Sequence, residues 1–137
     1  MTPAAWLNGP CTDPLGRMLR APDGTILRAL FPGREADALG VLEHPVVRGL
    51  MDDGLVARMS RSGARIEGYG ATVESERAAF DVPCGRFSFG ALRQAALAWL
   101  EIVRRLLPAE LCLTDAHYGN FMLFAANRPR WIDLGSM

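Results

Sequence analysis

A chain of 137 residues is the size of one ordinary domain, and with half of its residues apolar it can build a real hydrophobic core. Charged residues make up 22%, which excludes wholesale disorder, and the formal net charge of zero argues against a general nucleic-acid or anionic-membrane binder. All 15 basic residues are arginine, so chemistry that depends on a lysine is closed to these residues.

Residues 1–24 are rich in Pro, Gly, Asn and Asp and read as an irregular lead-in, with no basic and then apolar run of the signal-peptide kind. Thr25 to Phe31 is a strand candidate bounded by Asp23-Gly24 and Pro32-Gly33. Glu35 to Glu43 has helix formers with Ala36, Leu39 and Leu42 at helical spacing, and His44-Pro45 breaks it as a turn. Val46 to Asp53 reads as a second short helix, Leu55 to Met59 as a strand, and Ile66 to Val73 as a weaker strand.

The clearest element is a helix from Ser88 to Leu107, with Ser88 as N-cap and Pro108 ending it. Phe89, Leu92, Ala96, Trp99, Val103 and Leu106 recur at steps of three and four and are expected to form its buried face, with Trp99 in the core. Two short apolar runs follow, Leu111–Leu113 and Phe121–Phe124, and a third, Trp131-Ile132, leads into Asp133. Trp131 is expected as a buried strand aromatic. Three widely spaced cysteines, Cys11, Cys84 and Cys112, fit neither a disulfide framework nor a zinc knuckle, and are expected as reduced thiols in a cytoplasmic protein. No uncharged apolar run approaches the length of a membrane span.

Asp115, Asn120 and Asp133 form the constellation that bears chemistry. Phosphoryl transfer needs a carboxylate near the acceptor hydroxyl and oxygen ligands for Mg²⁺. A loop with Asp at its start and Asn at its end, followed by a second Asp after a hairpin, offers all three. Taken alone, Asp115 and Asn120 also suit an ordinary turn.

The run Thr114-Asp115-Ala116-His117-Tyr118-Gly119-Asn120 resembles the Asp-x-His-x-x-Asn catalytic loop of the aminoglycoside phosphotransferase and choline kinase branch of the kinase-like superfamily. Ile132-Asp133-Leu134-Gly135 resembles the counterpart of the Asp-Phe-Gly segment, at the interval from Asn120 that kinases show. The resemblance implies Asp115 as catalytic base, Asn120 and Asp133 as metal ligands and His117 as a loop-structuring residue. It also implies ATP and Mg²⁺ as cofactors, with Arg58 standing in for the missing phosphate-binding lysine, although the two side chains are not equivalent.

A second, closer resemblance covers more of the chain, running loosely over about residues 24–137, with only the last fifty residues specific. Phe87-Ser88-Phe89 and the helix it starts, Leu113-Thr114-Asp115-Ala116, and Arg128-Pro129-Arg130-Trp131-Ile132-Asp133 through Ser136 are similar to the kinase-like segment preceding the class I S-adenosylmethionine-dependent methyltransferase domain in bacterial two-part proteins. The implied partner is a methyltransferase domain or second protein chain. S-adenosylmethionine enters only with that domain, supplied by another chain or a downstream segment. The 137 residues contain no Gly-rich cofactor loop after a strand, so the expectation is a front piece or stand-alone remnant of such a protein.

The expected fold is α+β: a truncated protein-kinase-like domain over 25–137, with a small antiparallel sheet, a long central helix and a C-terminal hairpin bearing the Asp/Asn/Asp set. Three functions compete. The first is a kinase-like accessory module of a methyltransferase, not catalytic alone. The second is an Mg-ATP-dependent small-molecule phosphotransferase. The third is a regulatory or scaffold domain, which predicts an exposed apolar patch; a homo-oligomer is compatible with any of them.

Overall fold

The computed structural model describes residues 5–7, 9, 13–79 and 82–137. They form an α+β protein in two compact units, residues 1–43 with 59–77 and residues 44–58 with 78–137. Both units draw on the 25–137 stretch. Cys11 lies outside the described residues.

The first unit is a five-stranded antiparallel sheet in the order β1-β2-β3-β5-β4. Its strands are β1 (Ala5–Trp6), β2 (Gly16–Arg20), β3 (Ile26–Leu30), β4 (Met59–Ser62) and β5 (Thr72–Ser75), with helix α1 (Glu35–Glu43) between β3 and β4. β1 and β2 correct the expected irregular lead-in. A five-residue run beside proline, aspartate and glycine carries little periodicity of its own, and β2 exists because it pairs with β3 across the Asp23-Gly24 turn. The Asp23 carboxylate accepts the Thr25 N–H at 2.9 Å and sets that turn. Gly16 is required where it stands: a Cβ there would lie 2.1 Å from the Ala29 carbonyl oxygen.

In β3 the side chains alternate. Leu27 and Ala29 join Leu19 in a core that Ile66 and Tyr69 flank. Leu30 and Arg28 point the other way. Arg28 is only 5% exposed and makes an ion pair with Asp13. The strand expected over 55–59 begins later, at Met59, so Arg58 sits in the connection after α2 and not inside a strand. The strand expected over 66–73 likewise begins later, running over Thr72–Ser75, because residues 66–69 close a turn in which the Tyr69 N–H donates to the Ile66 carbonyl.

The second unit holds α2 (Pro45–Asp52), α3 (Phe89–Leu106) and the hairpin of β6 (Phe121–Leu123) and β7 (Pro129–Trp131). His44 is not merely a turn residue: its Nδ1 accepts the Val46 N–H at 3.3 Å and caps α2, with Pro45 in the first helical position. Ser88 caps α3, its hydroxyl accepting the Ala91 N–H at 3.2 Å. Helix α3 packs on α2 and β7.

The face that α3 buries corrects the sequence reading. Ala95, Ala98, Ile102 and Leu106 are buried, whereas Phe89 is 84% exposed and Trp99 is 37% exposed. Apolar residues cover more than half of the helix circumference. Periodicity places an apolar stripe but does not say which part of a wide one meets the core. Trp131, by contrast, is fully buried as expected, its ring edge-on to Phe121 at 5.3 Å between centroids. Leu111–Leu113 forms no strand.

At the C-terminal end of α3, Glu101 receives the guanidinium of Arg104 at 2.7 Å and that of Arg105 at 2.8 Å. Arg105 also reaches Asp53, just after α2, at 2.6 Å. Hydrogen bonds from Arg104 and then Arg105 hold the Glu101 carboxyl down to about 2. A depressed folded-state value means that this contribution to stability is complete above the ordinary glutamate range and fades as pH falls toward 2. A carbon-detected NMR titration is expected to place Glu101 well below the other glutamates, and Arg104→Ala should move it back up. An unmoved midpoint in that variant would contradict the assignment.

Candidate active site

The segment from Thr114 to Ser136 folds into a loop, the β6–β7 hairpin and a final turn that closes back on the loop. The Thr114 N–H and hydroxyl both donate to the Ser136 carbonyl, at 2.6 and 3.2 Å. The Ile132 N–H donates to the Asn120 carbonyl at 2.9 Å. The start of the loop, the end of the loop and the end of β7 are thereby held together.

Asn120 links the three expected residues. Its amide nitrogen donates to the Asp115 carbonyl at 3.0 Å and approaches the Asp133 carboxylate at 3.4 Å. With the nitrogen committed to these acceptors, the amide oxygen is the atom left to face a cation. Asp133 is half-buried, and its other carboxylate oxygen accepts the Gly135 N–H at 2.9 Å, capping a short 3₁₀ turn. The Asp133 carbonyl takes the Trp131 indole N–H at 2.9 Å and the Ser136 hydroxyl at 3.1 Å, which fixes its backbone.

Asp115 is exposed. His117 lies over it with Nε2 3.6 Å from the Asp115 carboxylate. The other ring nitrogen, Nδ1, accepts the Gly119 N–H at 3.0 Å, so neutral His117 bears its proton on Nε2, toward Asp115. The contact depends on Gly119, where a Cβ would fall 2.7 Å from the imidazole. His117 thus organises the turn from His117 to Asn120.

One carboxylate and one amide oxygen are too few donors for a protein-only metal cage, and among the described residues no group of three His, Cys, Asp or Glu could hold a metal ion. They do fit Mg²⁺, which keeps waters and phosphate oxygens for most of its octahedron. Arg58 is exposed, in the connection between α2 and β4. Arg28, a lone charge in the otherwise apolar run Ile26-Leu27-Arg28-Ala29-Leu30, is buried within the sheet unit, where it pairs with Asp13.

No helix among the described residues is long and apolar enough to cross a membrane. Compared with known proteins, the chain matches no family model and no curated sequence.

Proposed function

We propose that the chain is a kinase-like accessory module that retains the metal-binding corner of a phosphotransfer site but does not catalyse phosphotransfer alone. The reading rests on the Asn120 amide, which ties the backbone of Asp115 to the carboxylate of Asp133. Asn120 and Asp133 would hold Mg²⁺, which when bound neutralises charge between phosphates. Asp115 would orient an acceptor hydroxyl and take its proton.

In protein kinases the phosphate-holding lysine stands on the third strand and pairs with a glutamate on the next helix. Here the third strand offers Arg28, buried and paired with Asp13. The methyltransferase association rests on the sequence resemblance. It requires a class I methyltransferase fold encoded in the same reading frame or beside it, and a neighbourhood without one would count heavily against that part.

Millimolar Mg-ATP is expected to raise the melting temperature, because a ligand that binds only the folded state adds about 1.4 kcal/mol at ten times its Kd. Asp133→Asn keeps an acceptor for Gly135 but removes the charge, and should abolish the rise. No shift with wild type would rule out nucleotide binding.

The alternative, an Mg-ATP-dependent phosphotransferase, is favoured by the exposure of Asp115 beside His117. It predicts ADP release above background with an alcohol acceptor, lost in Asp115→Asn. The accessory reading predicts the thermal shift without the turnover.

A further inference from the structure

Helix α3 has more apolar surface than the protein covers. Its buried side is Ala95, Ala98, Ile102 and Leu106. A second stripe remains outside: Phe89 at 84% exposure, Leu92 at 41%, Trp99 at 37% and Leu100 at 65%, with exposed Ala96 among them and half-buried Val103 beyond. The polar side, Gln94, Glu101, Arg104 and Arg105, lies elsewhere on the helix. These are steps of three and four along 18 residues, the spacing of a helix-packing seam.

The stripe is symmetric about Ala96. Four residues to either side stand Leu92 and Leu100, seven residues to either side stand Phe89 and Val103, and three residues to either side stand Arg93 and Trp99. Two antiparallel copies of α3 crossing at Ala96 therefore place Leu92 against the partner's Leu100 and Phe89 against the partner's Val103. The small Ala96 sits where two helices must come closest. Arg93 is exposed and makes no ion pair among the described residues. The same crossing sets its guanidinium beside the partner's Trp99, a cation–π pair. A parallel arrangement would instead oppose Arg93 to Arg93.

We propose that this face of α3 is a two-fold, antiparallel docking surface for a second copy of the same chain. The exposed stripe amounts to roughly 500–600 Å² per copy, or ~1,000–1,200 Å² for the pair. Per copy, that lies at the upper end of the ~300–600 Å² of the largest apolar patch on a typical monomer, and the pair reaches the ~1,000 Å² lower limit of specific interfaces. The dimer is accordingly weak and reversible, with a dissociation constant in the micromolar range. It stands independently of the phosphotransfer reading, since none of its residues belongs to the Asp115 site.

Sedimentation equilibrium of the full chain, from micromolar to near-millimolar concentration, tests it. The average mass is expected to climb from 14.9 kDa toward twice that value. Leu100→Glu and Leu92→Lys, both on exposed positions, should each weaken association at least ~tenfold while leaving the circular dichroism spectrum and melting temperature unchanged. The Leu92→Lys, Leu100→Glu double variant should regain the dimer, because an antiparallel crossing brings the new opposite charges face to face. A wild type that stays monomeric throughout, or single variants that still dimerise, would overturn the proposal. A double variant that stays monomeric would overturn the antiparallel crossing.

Discussion

Replacing Trp131 by alanine is expected to cost about 3–5 kcal/mol of stability, the range for emptying a large buried aromatic site. The indole is fully buried and edge-on to Phe121. The residue also anchors a second segment through its backbone. Its N–H donates to the Leu55 carbonyl at 2.9 Å, and its carbonyl accepts the Ala57 N–H at 2.8 Å. Loss of the ring leaves a cavity next to that joint, and the melting temperature should fall by on the order of 10 °C. Trp131→Phe is the informative companion. It keeps most of the packing but gives up the indole N–H to the Asp133 carbonyl, a loss of about 1–2 kcal/mol. That carbonyl retains the Ser136 hydroxyl, so the turn is weakened and not lost. The phenylalanine variant should stay folded and show a reduced Mg-ATP shift. Urea unfolding followed by circular dichroism decides the matter, and an alanine variant as stable as wild type would contradict the packing role.

Asp13→Ala is expected to be about as damaging, at about 3–5 kcal/mol. Asp13 does two things at once. One carboxylate oxygen accepts the Leu15 N–H at 2.9 Å and shapes the entry into β2, while the other pairs with Arg28 in the middle of the sheet. The side chains of Arg28 and Asp13 are 6% and 11% exposed. Removing the carboxylate takes the Asp13 charge away from the buried guanidinium, which is the costly half of breaking such a pair. Removing both charges is a different case. The Asp13→Leu, Arg28→Met double variant should recover most of the lost stability, because apolar packing of similar volume replaces a pair that was expensive to desolvate. A single variant and a double variant that lose the same amount would show that the charges do not act on each other.

What the sequence revealed depended on how local each signal was. Helix α1 runs over Glu35–Glu43 as read, and α3 starts at its serine cap, because caps, prolines and helical spacing act within one turn. The hairpin strands near Phe121 and Trp131 were legible for the same reason. Strand β2 was not, since its cause is pairing with β3 and not its own composition. The buried face of α3 was misread because Phe89 and Trp99 are better hydrophobes than Ala95 and Ala98, yet the alanines allow close packing and are the ones buried. In the candidate site, the positions of Asp115, Asn120 and Asp133 in the chain suggested that they belong together. That the Asn120 nitrogen faces both neighbours is a matter of rotamer and turn geometry that no spacing encodes. The Asp13–Arg28 pair was invisible for a plainer reason: its partners are fifteen residues apart in the sequence and meet only when the sheet forms.

The double hydrogen bond from Thr114 to the Ser136 carbonyl makes the Asp115 loop and the Asp133 turn one mechanical piece. Two residues before Thr114 stands Cys112, exposed and in no disulfide. A fluorophore attached there, with Cys11 and Cys84 replaced by serine, would sit two residues from that joint and on neither of the proposed Mg²⁺ ligands, Asn120 and Asp133. The Mg-ATP binding proposed above could then be tested optically, in a protein whose own tryptophans stand at three separate places in the chain.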